Sequence, residues 1–467
     1  MYRARGRAAR AALALVVVAL VAGCASRRAP SPQPASSETA IDAVHEALGA
    51  PPPGTWWVGA AKVDITPAAA TYLAGFSPGR RSTGVHDPLH ARCTFVDDGR
   101  TPLVLVALDL VGFLNRDVRA ASARITRRFP ASVILASTHV HAAPDTLGLW
   151  GPGWIVPVGS GIDPDYIERV ERGVASCAAE AASRARPATA RFAHAHAPVD
   201  LSYNIHAEER ADTATAKDDA VDVVRWIDGD GNGIATIVSW ACHPEALGRD
   251  NTSITADYPG VLNGELERRL GGTALLVNGA IGGLVTVRVP AGGAQDFALA
   301  DAVGRRLAET VVAALDSPDA TSWAPQPNGI AAVSCEVQIP FENGWWRFFR
   351  WLGLLDIDLD AEGRASSTVT AWRMGPSEWL TVPGEIFPSL GRRYKATMSA
   401  PFRFLIGLGQ DELGYIMEAD EYADDLYGYE QMMSPGPQTA PVLNEAVDAV
   451  LRDLAAAEHA STSSETR

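Results

Sequence analysis

The chain has 467 residues with a formal charge of −15, and 47% of its residues are hydrophobic. Affinity for nucleic acid comes from clustered Lys and Arg set against phosphate; here 40 basic residues are scattered among 55 acids, which argues against a nucleic-acid partner. The length is ample for a large core, and Cys93, Cys177, Cys242 and Cys335 are too sparse for a disulfide framework, so they read mostly as buried thiols.

The N-terminus reads as a targeting segment. Arg3, Arg5, Arg7 and Arg10 precede the apolar run Ala11–Val21, which is too short to span a bilayer comfortably. Val21-Ala22-Gly23-Cys24 resembles the lipobox of bacterial lipoproteins. Residues 1–23 are therefore expected to be removed and Cys24 to be lipidated, tethering the protein to a membrane in the bacterial cell envelope, outside the cytoplasm. Losing four Arg and no acid leaves a body charge near −19. Residues 24–53, rich in Ala, Ser, Pro and Arg, read as a flexible tether. Residues 54–458 read as one catalytic domain without an internal Pro- or Ser-rich linker, and 459–467 as a disordered polar tail.

Within the domain, apolar runs alternate with amphipathic stretches. Pro102–Leu108 and Ser132–Ala136 are short continuous apolar runs, the pattern of strands buried on both faces. Asp117–Phe129 between them has helical spacing. Gly233–Ala241 predicts a strand, Leu262–Leu270 a helix, Thr273–Val277 a strand and Phe297–Leu315 a helix. Val369–Met374 and Glu378–Val382 predict a hairpin around Gly375-Pro376-Ser377, followed by a helix over Ile386–Thr397 and a strand over Phe402–Leu408. The order predicts an α/β layered fold with a mixed β-sheet flanked by helices.

Polar residues collect where these strands end. Asp109 follows the first run, His139 and His141 the second, and His243 the strand ending at Cys242. Asn278-Gly279, Glu385 and Tyr415 follow three more. Ligands of open α/β sheets bind beyond the carboxyl ends of strands, so these positions point to one shared site. His139 and His141, two apart on an extended segment, would face the same side. Two His and a carboxylate form a common ligand set for catalytic Zn²⁺, which keeps a position open for water.

The order and spacing of several short motifs carry a family resemblance. They include Gly59-Ala60-Ala61-Lys62-Val63-Asp64-Ile65-Thr66-Pro67, Gly75-Phe76, and Val85-His86-Asp87-Pro88-Leu89-His90-Ala91-Arg92. Ser137-Thr138-His139-Val140-His141, Ile254-Thr255-Ala256-Asp257-Tyr258-Pro259-Gly260, Val382-Pro383-Gly384-Glu385 and Gly414-Tyr415-Ile416 follow. Over about Val58 to Pro435 the chain resembles neutral ceramidases, the non-lysosomal amidases that cleave the N-acyl bond of ceramide. The resemblance implies that His139, His243, Glu385 and Tyr415 bind one Zn²⁺ and that His141 acts near the scissile bond. It implies an assisting Tyr as well: Tyr427 has the family's spacing from the ligand Tyr, whereas Tyr429 has the following Glu. Asp109, His206 and Tyr429 are candidate substrate contacts.

The pattern also departs from the family. Where ceramidases carry Asn-Ala-Gly-Asp-Val-Ser-Pro, this chain has Asn278-Gly279-Ala280-Ile281-Gly282-Gly283-Leu284; the Asp and Ser are missing and Thr286 is the nearest hydroxyl. Asn278, Gly279 and Gly282 are then candidate donors of backbone N–H groups to a developing oxyanion. The family's substrate-contacting Arg falls at Ile205, beside His206. The β-sandwich domain that follows in ceramidases is expected to be absent. Trp345-Trp346-Arg347-Phe348-Phe349-Arg350-Trp351 either lies in a lipid interface or packs on the core. The expected function is a zinc-dependent amidohydrolase on a lipid or other N-acyl amide. A metal-dependent esterase or lactonase, and a catalytically inactive lipid-binding lipoprotein, are the alternatives.

Overall fold

The computed structural model describes residues 48–153, 158–206, 217–326 and 329–465, with side chains to 457. The signal at 1–23, Cys24 and the tether up to residue 47 lie outside the described residues. The chain divides into Met1–Glu38 and Thr39–Arg467, and every described residue belongs to the second unit.

The largest sheet is mixed. Its order is Thr273–Asn278, Gly233–Trp240, Ala220–Asp228, Arg186–His196, Trp56–Asp64, His90–Asp97, Leu103–Leu108 and Ser132–Ser137, with Thr321–Trp323 added beside Arg186–His196. The pair at each edge is parallel and the strands between are antiparallel. Among the described residues, strand pairing joins the two halves only where Trp56–Val58 meets Arg186–Ala188. There the sheet folds back, so that edge strand Thr273–Asn278 lies against His90–Asp97, Leu103–Leu108 and Ser132–Ser137.

This folding explains the apolar runs. Leu103, Leu105 and Ala107 point into a core between the halves, together with Ile134, Phe192, Val224, Ile237 and Val277. Their alternate neighbours Val104, Val106 and Leu108 point outward under helices Asn115–Thr126 and Pro164–Ser183. On the other half, Val221, Val223, Val238 and Trp240 are covered by helices Asp257–Leu270 and Phe297–Asp316. Period-2 alternation with both faces apolar therefore yields helix, sheet, sheet and helix in four layers. Three of the four described cysteines are buried, and all four are unpaired.

A second sheet, Ile330–Pro340, Arg364–Met374, Ser377–Thr381 and Phe402–Ile406, closes the molecule on one side. Trp372, Trp379 and Phe404 stack from it into the inter-sheet core, with ring centroids 5.3 and 3.7 Å apart. The hairpin turns at Gly375, whose φ of 55° suits a residue without Cβ. The helix expected from Ile386 begins only at Pro388. Proline fits the first helical turn, and it disfavours a helical conformation for the residue before it. This leaves Glu385–Ile386 extended, paired in parallel with Tyr415–Ile416. The last helix, Thr439–Glu465, packs Leu443, Val447, Val450 and Leu454 on the second sheet, and its backbone continues past His459, where the polar tail was expected.

Asp109, at the end of Leu103–Leu108, is 1% exposed, and its Oδ2 accepts the His90 N–H at 2.9 Å. Burial raises its pKa to about 6, although Arg92 and the His90 amide pull the other way. A folded-state value above the unfolded 3.8 means that the native state holds the extra proton between 3.8 and about 6. Stability therefore falls as pH rises through that window. Asp109→Asn is expected to flatten this slope and to add up to about 3 kcal/mol at neutral pH, read from urea unfolding at both ends of the window. An unchanged slope would show that Asp109 is ionised in the folded protein.

Candidate metal centre

Strand Ser132–Ser137 delivers the first two imidazoles. Beyond it, Thr138 N–H donates to Leu108 O and His139 N–H to Leu110 O, each at 2.9 Å, tying the segment to the neighbouring strand's end. His139 has a φ of 68°. This left-handed conformation costs a side-chain-bearing residue on the order of 1–3 kcal/mol. His139 and His141 thus do not share a face through a β pleat, as the sequence predicts. A left-handed turn brings their rings together, 4.7 Å between centroids. Gly75 makes room for His141, since a Cβ there would lie 2.5 Å from the ring.

His243 comes from the other half of the sheet. Its ring centroid lies 4.9 Å from that of His139 and 5.7 Å from that of His141. The nitrogens of the three rings fall within 4.8 Å of one another, and all three residues are buried. Nδ1 of His139 is 2.6 Å from Val111 O, and Nδ1 of His243 is 2.8 Å from Val285 O. A carbonyl only accepts, so each Nδ1 carries the proton and each Nε2 faces inward. Both Nε2 atoms meet one oxygen, Glu385 Oε2, at 2.9 Å from His243 and 3.5 Å from His139. Tyr415, 4% exposed, sits opposite Glu385 in the two-residue parallel pairing.

Electrostatics follows from burying one carboxylate among three rings. Burial lowers the His139 pKa to about 3, outweighing the pull of Glu385. Burial acts on His243 too, but the hydrogen bond to Glu385 and the charges of Glu245 and Glu385 raise it to about 9. Glu385 is held below the usual range by His139 and His243 against its own desolvation. Without a metal, the proton held by His243 thus balances the Glu385 charge; a divalent cation would take that proton's place between the inward Nε2 atoms and the carboxylate. His141 differs: its Nδ1 lies 2.9 Å from Glu245 Oε1, whose other oxygen accepts from Thr286 Oγ1 at 2.8 Å. Burial would raise Glu245, yet the His141 contact brings it to about 2.

His139, His141, Glu385, Tyr415 and Tyr429 line one cavity whose walls include Val111, Leu147, Trp150, Trp346, Leu355 and Met433. Other candidates lie outside this lining. The Asn278 side chain is fully engaged: Oδ1 accepts from Cys242 N and Gly279 N, and Nδ2 donates to Thr138 O and Cys242 O. Gly279 N–H also donates to Trp240 O, and Gly282 N–H to Ile386 O, so neither amide is left for an oxyanion. Asp109 is walled in beneath a helix, beside Tyr166. His206 Nε2 lies 2.6 Å from Glu430 Oε1, and its ring packs on Tyr427, 5.1 Å between centroids. Tyr427 therefore backs the site, and Tyr429 is the one of the pair on the lining.

Sequence reasoning missed Glu245, Glu412 and Arg80. Arg80 donates to the carbonyls of Ala74 and His141. Glu412 lines the cavity, its Oε1 accepting from Gly414 N–H and its Oε2 buried without a hydrogen bond among the described residues, and burial raises its pKa well above the usual range. The signal for Glu245 was in plain view, two residues after His243, but nothing local says that a carboxylate will reach back to His141.

No curated protein matches the chain. Two solved structures share its fold. One is neutral ceramidase from Pseudomonas aeruginosa, at 17% identity and a TM-score of 0.70, over 85% of this chain and 74% of that one. The other is a ceramidase complexed with C2, at 16% and 0.71, over 87% and 76%. The sequence model described as neutral/alkaline non-lysosomal ceramidase, N-terminal, matches residues 56–337, more than half of the chain. The chain belongs to the neutral/alkaline non-lysosomal ceramidase family.

Proposed function

We propose that this ceramidase-like hydrolase is metal-dependent and cleaves the amide bond of an N-acyl lipid. The observation that carries the reading is the convergence of His139 and His243 Nε2 on one Glu385 oxygen, beside a cavity with apolar walls. His139, His243, Glu385 and Tyr415 would hold the ion, and the nitrogen and oxygen donors favour zinc. When bound, it supplies Lewis acidity toward the carbonyl and a water of lowered pKa.

The protein's own residues do the rest. Glu245, beside Nδ1, orients the His141 ring so that Nε2 can pass a proton to the leaving amine. Trp150, Trp346, Leu147 and Leu355 take the acyl chain and exclude water. Tyr429, the one of the two candidate assisting tyrosines on the lining, takes the assisting role, the Gly279 amide being spent on structure. The missing Ser does not disable this scheme, since it uses no side-chain nucleophile. We also propose that the mature protein is an envelope lipoprotein acylated at Cys24.

His243→Ala is expected to lose bound metal, by elemental analysis, and hydrolysis of N-acyl lipids, while keeping its circular dichroism spectrum. Full metal content in that variant would overturn the ligand set, and turnover of simple esters but not amides would move the reading to an esterase. Glu245→Gln should keep its metal yet lose roughly 10- to 100-fold in kcat; an unchanged kcat would remove Glu245 from the scheme. Cys24→Ser is expected to abolish fatty-acid labelling and to release the protein from the membrane fraction, and retained label would refute acylation there.

A further inference from the structure

Helix Gly344–Trp351 has two different sides. One is bolted down. Asn343 caps the helix by accepting Trp345 N–H at 2.9 Å, and its Nδ2 donates to the carbonyls of Gln431, Met432 and Ser434. Trp346, 4% exposed, donates from Nε1 to Met432 O at 3.0 Å and reaches the cavity lining. The other side is bare. Trp351 is 71% exposed, Leu352 47% and Trp345 39%, with Phe348 between the two tryptophans at 6.5 and 6.0 Å. Positions 345, 348 and 352 fall on one helical stripe, and 351 adjoins it. Tyr429 and Met432, 46% and 42% exposed, extend the apolar surface toward the mouth, where Tyr429 also lines the cavity.

We propose that this surface is a lipid-docking face, seated in the headgroup and upper acyl region of an anionic bilayer. Three observations choose a bilayer over a protein. Arg347 and Arg350 are exposed beside the aromatic stripe, Arg350 also donating from Nε to Ile357 O at 2.8 Å; they are the cations of the helix itself, with Asp360 and Glu362 on the far side of the hollow they border. Trp with Arg on a short amphipathic helix is the composition that settles at the lipid–water boundary. The face also adjoins the mouth of an apolar-walled cavity, so a chain leaving the bilayer enters without crossing water. The lipid attachment expected at Cys24 would hold the protein at the same surface. The docking deepens the lipid-substrate reading but places no demand on metal or turnover.

The test uses the full chain on phosphatidylcholine–phosphatidylglycerol vesicles whose acyl chains carry bromine, a short-range quencher of Trp emission. Quenching is expected, and Trp345→Ser/Trp351→Ser should lose at least half of the quenched amplitude at equal vesicle-bound protein. Arg347→Ser/Arg350→Ser should keep the quenching but lose its dependence on phosphatidylglycerol. Both pairs are exposed, and because Arg350 Nε also donates to Ile357 O, each variant is first checked for native circular dichroism. Quenching that is absent, or equal in the Trp variant, would overturn the proposal. So would concentration-dependent self-association without vesicles that the Trp variant abolishes, since the face would then join protein to protein. Because no hydrolysis is measured, a failed amidase assay and a failed quenching assay report on different claims.

Discussion

Two imidazoles from opposite halves of a folded sheet share one carboxylate oxygen. His139 Nε2 and His243 Nε2 meet Glu385 Oε2 at 3.5 and 2.9 Å, all three residues being buried. An arrangement this desolvated is costly unless its charges are balanced and its remaining polar atoms are bound. Much of the surrounding backbone serves that need. Val111 and Val285 carbonyls fix the outer nitrogens, and the left-handed turn at His139 is held by bonds from Thr138 and His139 to the end of the neighbouring strand.

Asn278 explains how the halves stay in register at this point. Its amide links Cys242, beside His243, with Thr138, beside His139. The clamp spans the seam where edge strand Thr273–Asn278 crosses the opposite half of the sheet. On the Glu385 side, Gly282 N–H donates to Ile386 O, and a Cβ on Gly282 would lie 2.5 Å from the Glu385 carbonyl. The turn in which this chain departs from the family's Asp and Ser is therefore part of the frame holding the carboxylate. Its amides support the ligands instead of facing a substrate.

Much of this was legible in the sequence, for a physical reason. Strands such as Leu103–Leu108, Ser132–Ser137 and Thr273–Asn278 are buried on both faces, and a continuous apolar run bounded by polar residues declares itself without long-range knowledge. Polar residues at the ends of such runs were worth grouping, and His139, His141, His243, Glu385 and Tyr415 do converge. Strands such as Arg186–His196 and Ala220–Asp228 mix polar and apolar residues and escaped notice. The grouping overreached at Asp109 and Asn278, because a strand end fixes where a residue stands but not which layer its side chain enters. Asp109 turns under the helix layer, and Asn278 turns into the seam. The choice between Tyr427 and Tyr429 was equally hidden, since it depends on how a short helical turn packs against Phe387 and His206.

In the scheme proposed above, the Glu245–His141 contact is what lets the site work without the family's Ser. Three neighbouring imidazoles would ordinarily repel protons from one another. Here two carboxylates, Glu385 and Glu245, divide the rings between them. Glu385 faces the two whose inner nitrogens are suited to a cation. Glu245 faces the third from the opposite nitrogen, at Nδ1. Exchanging these partners would leave His139 and His243 without the carboxylate oxygen they share. The roles of three chemically identical side chains are thus set by which carboxylate each one meets, and those carboxylates are fixed by backbone pairing at Glu385–Tyr415 and by the turn after His243.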